Sequence, residues 1–368
     1  MLLVTFHGGS GGITNVFAYD TSSGVLETQT ALEQAPPSDA ELRGMIYANS
    51  YLYVVNGGKS GSNILCYKPS GASSYTFASV GEFLGPSLSK KGHFKNSIGH
   101  PYAMVFDSAG NCYVSNQDTN VVAQAKVASN FETAEIKTGC QSSYLNGITN
   151  FCPTTGCVYL DGTFVASQIG SLPDVDVAAT DVPAQYGSLA VAFSSDTDGA
   201  GASQGKTKVQ NSVRDLAIAG DVLLVCDEPA SVIRLYSLTD GTYLGDCAVP
   251  SSPTHLAIFS NGLYVSAGKQ LYWTSLSGLP NPSSLTLSSV LTAPQAINPY
   301  SVGGVAFDAS SNTAYVVFQQ GKGTTGSGAI YSYSVTPGST TTSPPAFSDA
   351  HIFATICTDT PEFACFLP

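Results

Sequence analysis

Charged side chains are scarce in this sequence. Asp, Glu, Lys and Arg make up 11% of its 368 residues, and 26 acidic against 14 basic side chains give a net charge of −12 at pH 7. Because such a chain repels phosphate backbones and anionic lipid surfaces, the composition argues against nucleic acid as a partner. No apolar run approaches the roughly 20 residues needed to span a bilayer, so no membrane span is expected.

Several catalytic and metal-binding signatures are also missing. The sequence contains no GxSxG, no P-loop and no HExxH, and none of its nine cysteines has CxxC spacing. The run GGSGG at Gly8–Gly12 precedes a strand pattern instead of a helix, which argues against a phosphate cradle. We therefore expect no cofactor and assign no metal ligands.

The cysteines and the N-terminus bear on the cellular compartment. A neutral-polar composition is typical of exported β proteins, and MLLVTF is too short for the apolar core of a signal peptide. We expect a secreted or secretory-pathway protein whose signal is not part of this chain, with a cytosolic location as the alternative. Export would favour two disulfides, namely Cys357 with Cys365, and Cys140 with Cys152 or Cys157. Buried reduced thiols are the alternative for Cys66, Cys112 and Cys226.

A repeated phrase indicates the fold. An apolar strand, a turn rich in Gly, Asn, Asp and Ser, and a second apolar strand recur five times, which is the pattern of a β-hairpin. The copies are LRGMIYANSYLYVVNGG from Leu42, PYAMVFDSAGNCYVSNQD from Pro101, VRDLAIAGDVLLVCDEP from Val213, PTHLAIFSNGLYVSAGK from Pro253 and YSVGGVAFDASSNTAYVVFQQ from Tyr300. Two further strand patterns follow each copy, so each unit predicts a four-stranded propeller blade.

The two chain ends supply a sixth blade. LLVTFHGG, NVFAYDT and VLETQTAL resemble second, third and outer strands without an inner one, and the C-terminal EFACFLP fills that gap. Closure of this kind leaves no open sheet edge. We predict an all-β, six-bladed β-propeller in a single domain, residues 1–368, with seven blades as the alternative. The irregular stretch at about residues 141–212 is expected to be an insertion that caps the channel face, with a plain surface loop as the alternative.

Antiparallel inner and second strands bring scattered polar residues to one face of the ring. Residues just before each inner strand and just after each second strand meet around the central channel. The first group is Arg43, His100, Tyr102, Arg214, Asp215, His255 and Tyr300, and the second is His7, Asn56, Asn116, Asp118, Asp227, Glu228, Lys269, Gln319 and Gln320. We predict a funnel with apolar and aromatic walls and a few polar groups, which suits a small, largely apolar molecule with a polar head.

These residues also have purely structural interpretations. Asn56, Asn116 and Asp227 stand at strand ends, where Asn and Asp commonly cap the backbone. Arg214 beside Asp215 would form a structural ion pair. The single tryptophan, Trp273, is expected to pack between blades, because sugar-binding propellers generally repeat Trp in every blade.

The N-terminal VTFHGGSGGITNVFAYDTSSGVL and the later LYVVNGG resemble the lactonase and YVTN-type propellers. The six-blade pattern is also similar to the gluconolactonase and strictosidine synthase-like group. That resemblance implies a divalent metal held in the channel by Glu, Asn and Asp at strand ends. Asn56, Asn116 and Asp227 fall at comparable positions, whereas an equivalent Glu is missing unless Glu228 turns inward.

A closer resemblance is carried by KVQNSVRDLAIAGDVLLVCDEP (Lys208–Pro229), SPTHLAI (Ser252–Ile258) and GLYVSAG (Gly262–Gly268). These phrases resemble exported fungal propellers of tropolone sesquiterpenoid biosynthesis, which are assigned as hetero-Diels–Alderases. The resemblance implies that a tropolone alcohol loses water to give an o-quinone methide. This heterodiene then adds across a double bond of a humulene-type terpene and forms a dihydropyran ring. We know of no short catalytic signature of this family that transfers residue by residue.

We therefore predict a cofactor-independent pericyclase, a hetero-Diels–Alderase of fungal secondary metabolism. The alternatives are a metal-dependent lactonase and a non-catalytic small-molecule-binding propeller. A cycloaddition needs two apolar partners held in near-attack geometry in a site that excludes water. The expected partners are the tropolone and terpene substrates, and the expected assembly is a monomer or weak oligomer.

Site residues follow from the channel geometry. His255, His100 or Lys269 would protonate the departing hydroxyl, and Arg43 or Arg214 would hold the tropolone oxygens. The predicted catalytic residues are His255, His100, Arg214 and Lys269. The predicted substrate-binding residues are Arg43, Tyr102, Asn116, Asp227, Tyr300 and Gln319, with the two tyrosines stacking on the seven-membered ring.

Overall fold

A computed structural model shows the chain as a ring of six antiparallel sheets. It describes residues 1–8, 12–34, 36–58, 61–71, 74–85, 98, 100–117, 121–136, 148–149, 213–228, 230–239, 243–295, 301–320, 328–356 and 359–368. The six-bladed β-propeller predicted from the repeats is confirmed. Within these ranges, no helix has the length and apolarity needed to cross a membrane.

The strands follow the chain from blade to blade, starting at the channel. Blade 1 contains β1 (Leu2–Phe6), β2 (Phe17–Tyr19), β3 (Leu26–Thr28) and, innermost, β25 (Pro361–Phe366). Blade 2 contains β4 (Leu42–Ala48), β5 (Tyr51–Asn56), β6 (Asn63–Pro69) and β7 (Phe77–Leu84). Blade 3 contains β8 (Pro101–Phe106), β9 (Asn111–Asn116), β10 (Val121–Val127) and β11 (Ala134–Ile136).

The second half of the ring repeats this order. Blade 4 contains β13 (Val213–Ala219), β14 (Val222–Asp227), β15 (Val232–Ser237) and β16 (Tyr243–Ala248). Blade 5 contains β17 (Pro253–Phe259), β18 (Gly262–Ala267), β19 (Gln270–Ser275) and β20 (Ser288–Thr292), with a short 3₁₀ turn at Pro282–Ser284. Blade 6 contains β21 (Ser301–Asp308), β22 (Thr313–Gln319), β23 (Gly328–Thr336) and β24 (Ala346–Ile356).

The hydrophobic core lies between the blades. The second strands β14 and β18 consist only of buried residues, because neighbouring blades cover both faces of each sheet. Tyr53 of blade 2 shows the packing, since its ring lies 4.7 Å from Phe83 in its own blade and 4.9 Å from Phe106 in blade 3. Each blade is therefore stabilised by its two neighbours, as expected for a repeat architecture.

The ring closes where the sequence predicts. β25 pairs with β1 in antiparallel register, with Leu2 opposite Phe366 and Leu3 opposite Cys365. The N-terminal ammonium of Met1 donates a hydrogen bond to the carbonyl of Leu367 at 2.8 Å. The C-terminal strand thus supplies the inner strand that blade 1 lacks, and no sheet edge is left open at the channel.

The predicted insertion lies almost entirely outside the described residues. Its only described part is β12 (Ile148–Thr149), which pairs in parallel with Val122 and Ala123 of β10. The expected cap on the channel face stays a prediction. The chain is described again from Val213, at the start of the inner strand of blade 4.

The described cysteines form no disulfide. Cys66, Cys112, Cys226, Cys247 and Cys365 all carry free thiols. The predicted Cys357–Cys365 disulfide is therefore wrong, because the thiol of Cys365 lies free in the closing strand. Burial raises the pKa of this thiol to about 11 and that of Cys66 and Cys112 to about 12. Cys140, Cys152 and Cys157 lie outside the described residues.

Candidate functional site

One β-bulge interrupts the inner strand of every blade near its start. At each of these points the pairing with the second strand shifts. Either two residues of the inner strand lie opposite one residue of the second strand, or one residue of the inner strand has no residue opposite it. The extra residues are Glu362–Phe363, Arg43–Gly44, Tyr102, Arg214–Asp215, Thr254 and Gly303–Gly304, in blades 1 to 6. Bulges re-aim side chains and are common beside active sites. Here they form a ring around the channel.

This ring surrounds a cavity of about 680 Å³, called the central cavity below. All six blades contribute to its lining. The lining residues are His7, Glu41, Arg43, His100, Tyr102, Gln117, Arg214, Glu228, Ser251, Ser252, Thr254, His255, Gly268, Ser301, Gln319 and Glu362. Six of the ten predicted site residues are in this set, which are Arg43, His100, Tyr102, Arg214, His255 and Gln319.

A tyrosine and a histidine form a buried hydrogen-bonded pair in this cavity. Tyr102 Oη lies 3.2 Å from His255 Nε2, and both residues are at most 3% exposed. Thr254 Oγ1 donates to the carbonyl of Ser266 and lies 3.0 Å from His255 Nδ1. The Thr254 oxygen therefore accepts the Nδ1 proton, which leaves Nε2 as the acceptor for the tyrosine hydroxyl.

The electrostatics keep both partners of the pair neutral. Burial, followed by the charges of Arg214 and Arg43, lowers the pKa of His255 to about 3. Burial, followed by the charge of Glu362, raises the pKa of Tyr102 well above its usual range. In this tautomer the proton of His255 lies on Nδ1, and the predicted role of His255 as donor to a leaving hydroxyl stays a prediction.

Arg214 lies against the tyrosine of this pair. The guanidinium carbon of Arg214 lies 4.9 Å from the centroid of the Tyr102 ring, within the range of a cation–π contact. Arg214 is held by Glu228 at 2.7 Å and by the side-chain oxygen of Gln117 at 2.6 Å. The predicted Arg214–Asp215 ion pair does not form, since Arg214 pairs with Glu228.

Arg43 is held by two carboxylates and keeps one donor free. Its Nη1 lies 3.1 Å from Glu362 and its Nη2 lies 2.7 Å from Glu41. The side chain is 4% exposed, and its Nε has no acceptor among the described residues. A buried donor without a protein partner indicates a ligand or water in the cavity.

His100 completes this side of the site. Its Nε2 lies 3.3 Å from Glu41, and the hydrogen bond from His100 lowers the pKa of Glu41 to about 2. His100 has a φ of 50°, a conformation that is uncommon outside glycine. Gly57 leaves room for the imidazole, because a Cβ at that position would lie 2.8 Å from His100 Cδ2.

Three of the predicted site residues that the structure describes do not line the central cavity. Asn116 is fully buried, with its amide donating to the carbonyl of Val114. Asp227 is buried in an ion pair with Arg234, and Lys269 lies one residue beyond the lining residue Gly268 in the turn after β18. Tyr300 lies outside the described residues.

Three carboxylates that line the central cavity were missed or left open by the sequence. Glu41 immediately precedes β4, and Glu362 is the second residue of the closing strand, the position that Arg43 holds in β4, so the rule of strand ends covers both although neither was named. Glu228, which the sequence left open, lines the cavity. The predicted apolar and aromatic walls are wrong for the described lining, which is mostly polar because the bulges turn polar side chains toward the channel.

The residues expected from the lactonase resemblance do not fit a metal site. Among the described ranges, no three His, Cys, Asp or Glu side chains form a group that could hold a metal ion. Asn56 bonds backbone groups at the end of its hairpin, accepting from the amides of Glu41 and Gly58 and donating to the carbonyl of Gly61. None of Asn56, Asn116 and Asp227 lines the central cavity.

Comparisons with known proteins identify the fold. No family model and no curated protein matches the chain. A periplasmic gluconolactonase from Pseudomonas aeruginosa is 16% identical, with a TM-score of 0.52 and coverage of 95% of this chain and 82% of that chain. The fold is shared with gluconolactonase-like propellers. Identity this low shows the fold alone.

Two further solved structures have a similar fold. A protein assigned provisionally as a 6-phosphogluconolactonase, from Bacteroides uniformis, is 10% identical, with a TM-score of 0.51 and coverage of 95% and 82% of the two chains. A protein of unknown function from Bacteroides caccae is also 10% identical, with a TM-score of 0.50 and coverage of 99% and 97%.

Proposed function

We propose that the chain is an enzyme whose central cavity binds the oxygen-bearing head group of a small molecule, and that its reaction is the hetero-Diels–Alder addition of a tropolone-derived o-quinone methide to a humulene-type alkene. The observation that carries the proposal is the neutral Tyr102–His255 pair with Arg43 and Arg214 beside it. Neutral hydrogen-bonding groups next to fixed positive charges suit a planar head group with adjacent oxygens.

The first step would be loss of water from the tropolone alcohol. The ring hydroxyl gives up its proton and the CH₂–OH bond breaks, so that the oxygen becomes a carbonyl and an exocyclic C=CH₂ forms. The Tyr102 oxygen, whose own proton is held by Nε2 of His255, would accept a hydrogen bond from the ring hydroxyl, and the ring proton would leave with the hydroxide as water. His100, held against the carboxylate of Glu41, is the candidate donor to the leaving hydroxide.

The second step would be the cycloaddition. The CH₂ carbon and the carbonyl oxygen of the heterodiene each form a bond to one alkene carbon, with no proton lost or gained. Arg43 and Arg214 would hold the ring oxygens and lower the energy of the heterodiene. Holding both partners in near-attack geometry would supply several kcal/mol of the barrier reduction.

The test is an assay of the purified full chain with a tropolone alcohol and a humulene-type alkene, with and without EDTA, analysed by chiral chromatography and mass spectrometry. We expect a stereoselective adduct whose formation does not depend on EDTA. Tyr102→Phe should lower kcat by about tenfold, because it removes one hydrogen bond to the ring hydroxyl. Tyr272→Phe removes a hydroxyl outside the cavity and should leave kcat unchanged. Only racemic adduct at the uncatalysed rate would overturn the proposal.

A lactonase is the second candidate function. It is favoured by the mostly polar lining, with the carboxylates of Glu41, Glu228 and Glu362 on the cavity, and by the fold shared with gluconolactonase-like propellers. Incubation with δ-gluconolactone, followed by titration of the acid released, tests it directly. Faster hydrolysis that EDTA abolishes would favour this function over the pericyclase.

A further inference from the structure

A buried carboxylate joins blade 4 to blade 5 beside the central cavity. Asp215 accepts two backbone hydrogen bonds, from Leu216 N to Oδ1 at 2.8 Å and from Leu256 N to Oδ2 at 2.9 Å. Leu216 belongs to β13 and Leu256 to β17, which are the inner strands of the two blades. Asp215 is 7% exposed and does not line the cavity. Its two oxygens therefore connect neighbouring blades without reaching the space in which a substrate would bind.

The backbone geometry explains why an acceptor is needed at this place. Leu216 directly follows the bulge of blade 4, and Leu256 lies two residues after the bulge of blade 5. An inner strand has no further strand on its channel side, so amides that point that way find no acceptor in the sheet. A buried amide left without an acceptor costs about 1–3 kcal/mol. Asp215 satisfies one amide of each blade, because both oxygens of a carboxylate accept.

Both strands that Asp215 joins carry a side chain that contacts Tyr102. Arg214 precedes Asp215, and its guanidinium carbon lies 4.9 Å from the centroid of the Tyr102 ring. His255 precedes Leu256, and its Nε2 lies 3.2 Å from the Tyr102 hydroxyl. Tyr102 itself belongs to blade 3, so three blades meet at this ring. The separation of β13 and β17 thus decides whether Arg214 and His255 contact Tyr102 at the same time.

The carboxylate of Asp215 differs from the groups that join blades 1 and 2 and blades 5 and 6. Those junctions use hydroxyls, which donate from Thr5 to the carbonyl of Arg43 at 2.9 Å and from Ser266 to the carbonyl of Gly303 at 2.6 Å. A carboxylate costs more to bury than a hydroxyl. Burial raises the pKa of Asp215 to about 7, although both amides favour its charged form. Costly groups of this kind concentrate at functional sites.

We propose that Asp215 is a positioning residue for the reaction in the central cavity. By accepting from both inner strands, it holds Arg214 and His255 at the separation at which each contacts Tyr102. Asp215 does not touch the substrate and acts only through these contacts. The inference rests on the proposed function, but the arrangement of the three side chains can be measured without any substrate.

Asp215→Asn tests the inference, because the amide keeps the shape of the carboxylate but has one accepting oxygen and turns an NH₂ group toward the other backbone amide. The measurement is the nitrogen NMR resonance of His255 Nε2 in the full chain, assigned by its absence in His255→Gln. We expect Asp215→Asn to move this resonance in the same direction as Tyr102→Phe, which removes the hydroxyl beside Nε2.

Asp107→Asn is the matched control. Asp107 Oδ1 also accepts from two backbone amides, but it lies in the turn between β8 and β9, outside the cavity lining. Its substitution should leave the Nε2 resonance of His255 unchanged. Urea unfolding shows whether each variant is folded. Should Asp215→Asn not fold, Asp215→Ser takes its place, because it carries the hydroxyl used at the other two junctions and accepts from one amide only.

Turnover gives a second measurement. In the adduct assay, Asp215→Asn should lower kcat about fivefold, and the same change in a Tyr102→Phe background should add little, because the contact that it maintains is already lost. If no protein forms adduct above the uncatalysed rate, the proposed function fails, while the Nε2 resonance still decides the role of Asp215. An Nε2 resonance that Asp215→Asn leaves in place, or that Asp107→Asn moves equally, would overturn the inference. Losses of kcat that multiply in the double variant would overturn it as well.

Discussion

Replacing His255 by Gln should change how the stability of the fold depends on pH. The imidazole is 2% exposed, and its pKa falls from an ordinary 6.5 to about 3 on folding. Below pH 6.5 the imidazole of His255 therefore binds a proton in the unfolded chain but not in the folded chain, so stability is lost as the pH falls toward 3. Gln keeps hydrogen-bonding groups for Tyr102 and Thr254 but does not titrate.

The magnitude follows from the two pKa values. Between pH 6 and pH 4 the linkage relation gives a loss of about 2.5 kcal/mol that His255→Gln does not share. The pH dependence of the wild-type stability will not show this loss by itself, because a second residue contributes in the opposite direction. Burial raises the pKa of Asp215 to about 7, so that residue adds stability as the pH falls from 7 toward 4. Asp215 is present in both proteins, so its contribution cancels in the difference between them.

Urea unfolding of both proteins at pH 6, 5 and 4 measures the difference. His351→Gln is the matched control, because His351 is exposed on β24, and its curve should run parallel to the wild type. A wild-type-minus-variant difference that stays constant within about 0.5 kcal/mol would mean that His255 titrates in the folded state near its ordinary pKa. The neutral Tyr102–His255 pair, and the role that we give it in the first step of the reaction, would then be refuted.

Three further predictions concern stability and reactivity. Arg234→Met leaves the buried carboxylate of Asp227 without its partner and should lower the free energy of unfolding, measured in urea, by about 3–5 kcal/mol. Asp246→Asn removes the second, more exposed carboxylate that contacts Arg234 and should cost less than about 1 kcal/mol. Equal losses in the two variants would contradict this prediction. Phe363→Ala should cost about 3–5 kcal/mol and raise the pKa of His255, whose ring lies 4.4 Å away, as followed by NMR; an unchanged titration would refute it. The thiols of the four buried cysteines, Cys66, Cys112, Cys226 and Cys247, should resist labelling until the protein is denatured, and rapid native labelling mapped by mass spectrometry to any of them would count against their burial.

The fold could be predicted from the sequence because each blade is encoded locally. The hairpins that begin at Leu42, Pro101, Val213 and Pro253 pair strands separated by short turns, and all four form as predicted. Closure by EFACFLP followed from the missing inner strand of blade 1. A blade cannot bury its own faces, so a chain of such units packs them against one another in a ring.

The site was predicted only in part, because strand ends were treated as regular. A single extra residue reverses the alternation of side chains between the two faces of a strand. Asp227 ends β14 and pairs with Arg234 inside blade 4, while its neighbour Glu228 lines the central cavity. Nothing in the local pattern distinguishes these two carboxylates, because both follow an apolar strand.

The sequence by itself thus determined the number of blades, the closure of the ring and the face on which polar residues gather, since these depend on local periodicity. Only the tertiary structure decided which side chains meet. Arg43 and Glu362 are 319 residues apart and come together because the last strand closes the first blade. The six bulges then turn Arg43, Tyr102, Arg214 and Glu362 toward one cavity, where burial and neighbouring charge decide that His255 stays neutral.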